Sequence, residues 1–212
     1  MPGTHYKYYE DARTSYYEQV RYPTSFQNYT EIIHRTSHGS ARYKSALPIK
    51  FKTLEFGDSQ ETVIKKMGKP RFISENNEFS PLVFFYKEAL LNHKLLIQLH
   101  FFDKKFVLAT QSIIDTDSKW RQIVKIIVLE KYSGEEKPIL TSGSDQQDGG
   151  SNLVFVDRDN NKIFLQESIN LNIIYSSGDL SLLSKIEEFT HLKLKKLNDD
   201  RDNLKAILKN SF

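Results

Sequence analysis

The sequence contains no cysteine among its 212 residues. Disulfide bonds, thiolate metal ligands and cysteine nucleophiles are therefore excluded. Long apolar runs are also missing, so the sequence predicts no transmembrane helix, which needs about 18 apolar residues in succession. The N-terminus is polar and rich in tyrosine, and it lacks the apolar segment of a secretory signal. As written, the sequence predicts a cytoplasmic protein, whereas a mature form whose signal has been removed would belong to the cell envelope.

Basic and acidic residues are nearly equal in number, and the small excess of basic residues lies in one segment. The formal net charge is +3, and residues 1–50 carry seven Lys or Arg against four acids. Eight of the eleven tyrosines also lie there. Such a surface could stack on single-stranded nucleic acid. Because Tyr6, Tyr9, Tyr16 and Val20 share one helical face, we favour packing of a helix on a sheet and keep nucleic-acid binding as an alternative.

The sequence divides into three segments. An N-terminal helical extension, residues 1–48, contains a pair of predicted helices at 4–21 and 25–38, separated by Pro23. The second segment, 49–132, is predicted to hold a helix and an antiparallel sheet. The third, 133–212, begins with a low-complexity loop and continues with a second sheet and C-terminal helices. We expect the segments to pack as one globule.

The second segment begins with a predicted strand over 49–56, followed by a short helix over 58–68. Asp58 is predicted to cap this helix, with Glu61 reaching back to the amide of residue 58. Gly68 suits a left-handed helix end, and the proline at position 70 prevents continuation. Four strands are then predicted: Arg71–Ser74, Leu82–Tyr86, Leu95–Phe102 and Phe106–Ile114.

A second helix is predicted to begin after a cap at Thr116–Ser118. Helical spacing is followed by Trp120, Ile123, Val124, Ile127, Val128 and Lys131-Tyr132. Trp120 begins this apolar stripe, which we expect to lie in the core although an indole can also anchor a ligand. Three more strands follow, and the chain from Asp179 to about Lys209 is predicted helical with a break near Asn198–Asp200. The predicted strands of this part are Leu153–Val156, Ile163–Gln166 and Leu171–Tyr175.

These patterns predict an α+β fold, with antiparallel sheet packed against helices, an N-terminal helical pair and a helical C-terminus. A capped helix followed by antiparallel strands occurs at 58–114 and again at 117–175. The sequence therefore raises the hypothesis of a tandem helix-plus-meander repeat.

Residues 54–70 contain a short pattern made by Leu54, Gly57, Ser59, Val63, Met67, Gly68 and Pro70. With this pattern the segment resembles the signature of the SmpA/OmlA family of small bacterial outer-membrane assembly lipoproteins, whose wider structural group includes the proteinaceous inhibitor of β-lactamase. The resemblance implies helices packed on a three-stranded antiparallel sheet and a role in binding other proteins. The lipobox cysteine of that family is missing here, and the second half of the chain has no counterpart in it.

Two clusters suggest metal ligands. Glu31, His34 and His38 share a helical face, as ligands of zinc or another divalent ion would, but they do not match metalloprotease spacing. The segment Asp157–Asn161 begins like a calcium loop, yet glycine and glutamate are missing at the sixth and twelfth positions. We interpret the first cluster as a surface helix end and the second as a hairpin turn. No cofactor is predicted.

The sequence carries no recognisable catalytic set, so we favour a non-enzymatic protein-binding module of unknown partner. The concave sheet face between Leu82 and Ile114 is its predicted contact surface, with Phe84, Tyr86 and Phe102 as aromatic anchors. The alternative is a small-molecule-binding protein, or an unrecognised enzyme, with a pocket between sheet and helix.

Overall fold

The protein is described by a computed structural model covering residues 41–74, 82–90, 93–114, 117–133, 153–167 and 170–211. The predicted N-terminal helices lie outside these ranges, as does most of the loop 133–152. The described chain is α+β, as the sequence predicted: one antiparallel-rich sheet packs against helices. None of its helices is long and apolar enough to cross a membrane.

The strands of the described residues are β1 Ala41–Lys44, β2 Phe72–Ser74, β3 Leu82–Leu90, β4 His93–Phe102, β5 Lys105–Ile113, β6 Leu153–Val156, β7 Lys162–Glu167 and β8 Leu171–Ser176. The helices are α1 Gln60–Met67, α2 Ser118–Tyr132 and α3 Leu180–Ser211. Along the chain, α1 therefore lies between β1 and β2, α2 between β5 and β6, and α3 after β8.

All eight strands belong to one sheet in the order β1-β6-β7-β8-β5-β4-β3-β2. Only β1 and β6 pair in parallel, and every other neighbouring pair is antiparallel. The pairing of β5 with β8 joins strands from the second and third sequence segments. The second sheet predicted for residues 133–212 is therefore not separate, because its strands extend the same sheet, and the tandem repeat stays a hypothesis.

The β4–β5 hairpin turns at Asp103 and Lys104, between the predicted strands Leu95–Phe102 and Phe106–Ile114. Both residues have positive φ angles, 50° and 61°. Successive left-handed residues match the right-handed twist of the flanking strands. The chain thus makes a tight hairpin without glycine.

The sheet buries apolar side chains on both faces. The first core contains side chains of β3 to β8, the loop before α1, and helices α1 and α2. The second core lies on the opposite face, where α3 contributes Ile186. Its other members are Val107, Leu108, Val154, Phe164 and Ile174. The sheet is therefore a central layer between α1 and α2 on one side and α3 on the other.

Residues 49–56 do not form the predicted strand. Lys52 has a φ of 54°, and the amide of Leu54 donates to the carbonyl of Phe51 at 2.9 Å. The chain therefore turns tightly between Phe51 and Leu54, and both side chains are buried in the first core. The alternating apolar residues are the buried side chains of this turn. Period-two spacing alone does not distinguish such a turn from a strand.

The cap of α1 is Ser59, one residue later than predicted. The Ser59 hydroxyl accepts from the amide of Thr62 at 3.2 Å, and it donates to the carboxylate of Glu61. Asp58 instead accepts from the amide of Glu55 at 3.0 Å and from the Lys66 ammonium at 2.8 Å. Aspartate and serine both cap helices well, so the conformation of the preceding turn determines that Ser59, and not Asp58, is the cap.

Helix α3 continues without the break predicted near Asn198–Asp200. Asparagine and aspartate have lower helix propensity than alanine, but the difference is under about 1 kcal/mol per residue. The helix contains neither glycine nor proline, which are the residues that interrupt helices strongly. The polar segment is therefore an exposed part of one helix.

Candidate functional site

Helix α2 begins where the sequence predicted. Asp117 is its N-cap, and its carboxylate accepts from the amide of Trp120 at 2.7 Å. The indole of Trp120 packs partly against the first core, and its ring lies edge-on to that of His93 with centroids 4.5 Å apart. The cap and the ring contact fix the start of the helix on the sheet.

One side of α2 is buried against the sheet. Val124, Val128, Leu129 and Tyr132 belong to the first core, and Lys125 is buried beside them. At 100° per residue these positions define one face. That face anchors the helix.

The opposite side of α2 is also apolar, and it is exposed. Ile123, Ile126 and Ile127 keep 40%, 42% and 54% of their surface accessible. Their spacing places them side by side. We call these three residues the isoleucine ridge. An amphipathic helix normally presents polar residues here, so α2 departs from the usual pattern of a surface helix.

The prediction that Ile123 and Ile127 face inward with Val124 and Val128 is wrong. Consecutive helical positions differ by about 100°, so these two pairs define different faces. The sequence makes both faces of the helix apolar. The face that packs on the sheet is the one that also contains Tyr132. The sequence signal for the ridge is that α2 contains more apolar residues than a single helix face can bury.

Polar residues border the isoleucine ridge at both ends. Lys119 and Gln122 precede it, and Glu130 follows it, all exposed on the same side of α2. Leu47, 45% exposed, lies near the C-terminal end of the helix, because the neighbouring amide of Ala46 donates to the carbonyl of Tyr132 at 3.1 Å. An apolar centre with a polar rim is the usual composition of a protein interface.

The three predicted aromatic anchors do not share a face. Phe84 is buried in the first core, and its ring lies 4.6 Å from that of Phe101. Tyr86 is buried there too, its hydroxyl donates to the carbonyl of Gly68 at 3.1 Å, and burial raises its pKa to about 12. Phe102 packs against the second core. Their role in binding a partner stays a prediction, and the structure offers the isoleucine ridge as a more exposed surface.

A second unusual feature lies on the sheet face that carries the second core. Polar side chains form an oblique line across the neighbouring strands β4, β5, β8 and β7. Gln98 of β4 is paired with Thr110 of β5. Asn172 of β8 is paired with Ser112 of β5 on one side and with Gln166 of β7 on the other. We call this set the polar diagonal. Its members are His100, Gln98, Thr110, Ser112, Asn172 and Gln166.

The centre of the polar diagonal is fully buried. Gln98 and Thr110 are each 1% exposed, and neither side chain forms a hydrogen bond with any described residue. Ser112, by contrast, donates to the side-chain oxygen of Asn172. Burial lowers the pKa of His100 to about 3, so its imidazole is neutral at pH 7. The diagonal therefore places neutral donors and acceptors inside an apolar surface.

The segment that begins like a calcium loop forms a hairpin turn, as interpreted from the sequence. The buried carboxylate of Asp157 accepts from the amides of Ile49 (2.7 Å), Asp159 (2.9 Å) and Asn161 (2.8 Å). It also accepts from the side-chain amide of Asn161 at 3.1 Å. Asp157 thus organises the turn and fastens the loop before α1 to it.

The candidate metal ligands Glu31, His34 and His38 lie outside the described residues. Within the described ranges, no three His, Asp or Glu side chains are arranged to hold a metal ion.

Comparison of the chain with protein-family models, curated proteins and solved structures gives no significant match. The resemblance of residues 54–70 to the outer-membrane lipoproteins therefore stays a prediction from the residues alone.

Proposed function

We propose that the protein is a non-enzymatic protein-binding module whose contact surface is the isoleucine ridge of α2. One observation carries the proposal: α2 is apolar on two opposite sides, and only one side is covered by the sheet. An apolar helix face is normally packed against another surface. A bound protein would complete that burial.

Burial of the exposed isoleucine surface favours apolar contact at the ridge. Burying an isoleucine side chain fully is worth about 1.5–3 kcal/mol, so covering three half-exposed ones is worth about 3 kcal/mol in total. That is enough for the centre of a modest interface but not for a large permanent one. The partner is therefore expected to present an apolar helix or strand face of similar size.

The test is affinity capture from the native organism with matched variants. Ile123→Asp and Ile127→Asp place a charge in the ridge, and both are expected to abolish recovery of a stoichiometric partner. Leu204→Asp is the control, because Leu204 is 59% exposed on α3, the helix that packs on the other face of the sheet. Unchanged circular dichroism and thermal midpoints would show that each variant folds. Equal recovery of the same partner by all three variants would contradict the proposal.

A second candidate function is supported by the polar diagonal. We infer that Gln98 and Thr110 can hold a small neutral molecule that carries both a hydrogen-bond donor and an acceptor. A buried polar group without a hydrogen bond costs about 1–3 kcal/mol, and a ligand would recover that cost. A charged ligand is disfavoured, because Gln98 and Thr110 are buried on the sheet face that carries the apolar second core.

Two shape-matched variants test the second candidate. Gln98→Leu and Thr110→Val remove the polar atoms, and if these lack partners in the free protein, stability rises or stays constant. Acetamide serves as the probe, followed through the NMR resonances of the Gln98 side-chain amide. A shift in the wild type that Thr110→Val abolishes supports the candidate. A loss of about 2 kcal/mol or more in either variant would show a structural hydrogen bond and reject it.

A further inference from the structure

We propose that the partner bound by the isoleucine ridge is a second copy of this chain, with the two α2 helices antiparallel about a two-fold axis. The inference rests on the proposed function, since it names the partner of the same surface. It is drawn from the arrangement of charges and apolar residues along the exposed side of α2.

Four positions on the exposed side of α2 are symmetric about one point, whereas Ile127 is related by the same point to Gln122. Ile123 and Ile126 lie at equal distances on either side of the midpoint between residues 124 and 125. Lys119 and Glu130 also lie at equal distances from that midpoint, with opposite charges. An antiparallel pair centred there places Ile123 of one copy against Ile126 of the other. The same pairing sets Lys119 against Glu130 of the second copy at both ends.

This arrangement satisfies the requirements of a two-fold interface. A two-fold contact uses the same patch on both copies, so the patch must complement itself. The isoleucines supply the apolar centre, and Lys119 and Glu130 stand about 16 Å apart along the helix, at the rim. Neither rim residue has an ion pair with another described residue, so both are available to a second copy.

The charges also choose the direction of pairing. A parallel arrangement would set Lys119 against Lys119 and Glu130 against Glu130, and like charges in contact repel. An antiparallel arrangement replaces both repulsions by attractions, and it also opposes the two helix dipoles. The rim therefore specifies orientation, and the isoleucines supply most of the attraction.

The expected dimer is weak. One helix face buries less than the roughly 800 Å² per partner of a standard interface. Association is therefore expected in the micromolar range or weaker, and it should depend clearly on protein concentration.

The first experiment is a charge exchange, followed by sedimentation velocity over a concentration series. Lys119→Glu and Glu130→Lys each create two like-charge contacts per dimer, and each should weaken association about tenfold. The double variant restores both opposite-charge contacts and should return the dissociation constant to within about threefold of the wild type. A double variant at least as weak as the single variants would overturn the antiparallel arrangement.

The second experiment uses the absence of cysteine from the chain. Variants Ile123→Cys and Ile126→Cys are mixed and oxidised, and the mixed disulfide should form faster than either homodisulfide, because the two positions face each other across the axis. Leu204→Cys, exposed on α3, is the control and should crosslink slowly. Equal rates for the mixture and the control would overturn the inference.

The outcomes separate this inference from the proposed function. A chain that stays monomeric at all concentrations but loses a different partner through Ile127→Asp would reject the second copy and keep the binding function. A chain without self-association and without ridge-dependent capture would reject both. Both are supported if Ile127→Asp abolishes self-association and if the double charge variant associates more tightly than either single charge variant.

Discussion

The amide of Gly178 donates a 2.9 Å hydrogen bond to the side-chain oxygen of Asn161. This contact fastens the residues before α3 to the turn between β6 and β7. The approach is so close that a Cβ atom on Gly178 would lie 2.2 Å from the backbone carbon of Asn160. Glycine is needed here because of space, and not because of a left-handed backbone.

Substituting Gly178 by alanine should therefore destabilise the fold. The clash is with backbone atoms, which cannot rotate away, so we expect a loss of about 2 kcal/mol or more in the free energy of unfolding. Urea denaturation monitored by circular dichroism measures it. Gly68→Ala provides a comparison without a clash. No atom lies within 4 Å of a Cβ at Gly68, but its φ of 82° and ψ of −179° are reached almost only by glycine, so a loss of about 1–3 kcal/mol from backbone strain is expected. A Gly178→Ala variant as stable as the wild type would contradict the steric explanation.

Replacing Asp157 by alanine should cost more than any other single change in its turn. Its carboxylate accepts four hydrogen bonds, and one of them reaches Ile49 in the loop before α1. Leaving several donors unsatisfied is expected to cost about 3 kcal/mol or more, measured by urea denaturation. Asp159→Ala, at an exposed position of the same turn, is the control and should change stability by less than about 0.5 kcal/mol. Similar effects at both positions would show that Asp157 is not the organising residue.

Replacing Lys104 by glycine should stabilise the protein. Lys104 adopts a φ of 61° in the β4–β5 turn, a conformation that costs a residue with a side chain about 1 kcal/mol. Glycine removes most of that cost, and its greater freedom in the unfolded chain offsets part of the gain. We expect an increase of up to about 1 kcal/mol in the free energy of unfolding. Lys104→Ala removes the charge but keeps the strain, so it should give no gain; a gain equal to that of glycine would assign the effect to charge.

Local features of this fold were predictable from the sequence because they depend on neighbouring residues. Helix α2 follows from its cap at Asp117 and its helical periodicity, and the β4–β5 hairpin follows from polar residues between two apolar runs. Errors at this level were small. The N-cap of α1 lies one residue later than predicted, and the residues predicted as a strand at 49–56 contain a buried turn.

The candidate sites were harder to predict because they depend on contacts between distant segments. Val124 and Ile123 are equally apolar, and only the position of the sheet decides that one is buried and the other exposed. The polar diagonal depends on the register of β5 against β8, which places Ser112 opposite Asn172, sixty residues away. Sequence periodicity assigns residues to a face of a strand, but it does not determine which strands become neighbours.

The buried imidazole of His100 should make stability depend on pH. Its pKa is lowered from 6.5 in an exposed histidine to about 3 by burial. Between those values the unfolded chain binds a proton that the folded chain excludes, so acid favours unfolding. Stability should therefore be constant with respect to this group above about pH 7, and it should fall by about 1.4 kcal/mol per pH unit as the pH decreases from 6 towards 4.

Urea denaturation between pH 7.5 and 4.5 measures this slope, and His100→Gln should reduce it by most of one proton equivalent. A direct measurement is an NMR titration of the folded wild type, in which the His100 ring protons should not shift above pH 4.5. A His100 resonance that titrates near pH 6.5 in the folded protein would contradict its burial, and it would remove the neutral imidazole from the polar diagonal.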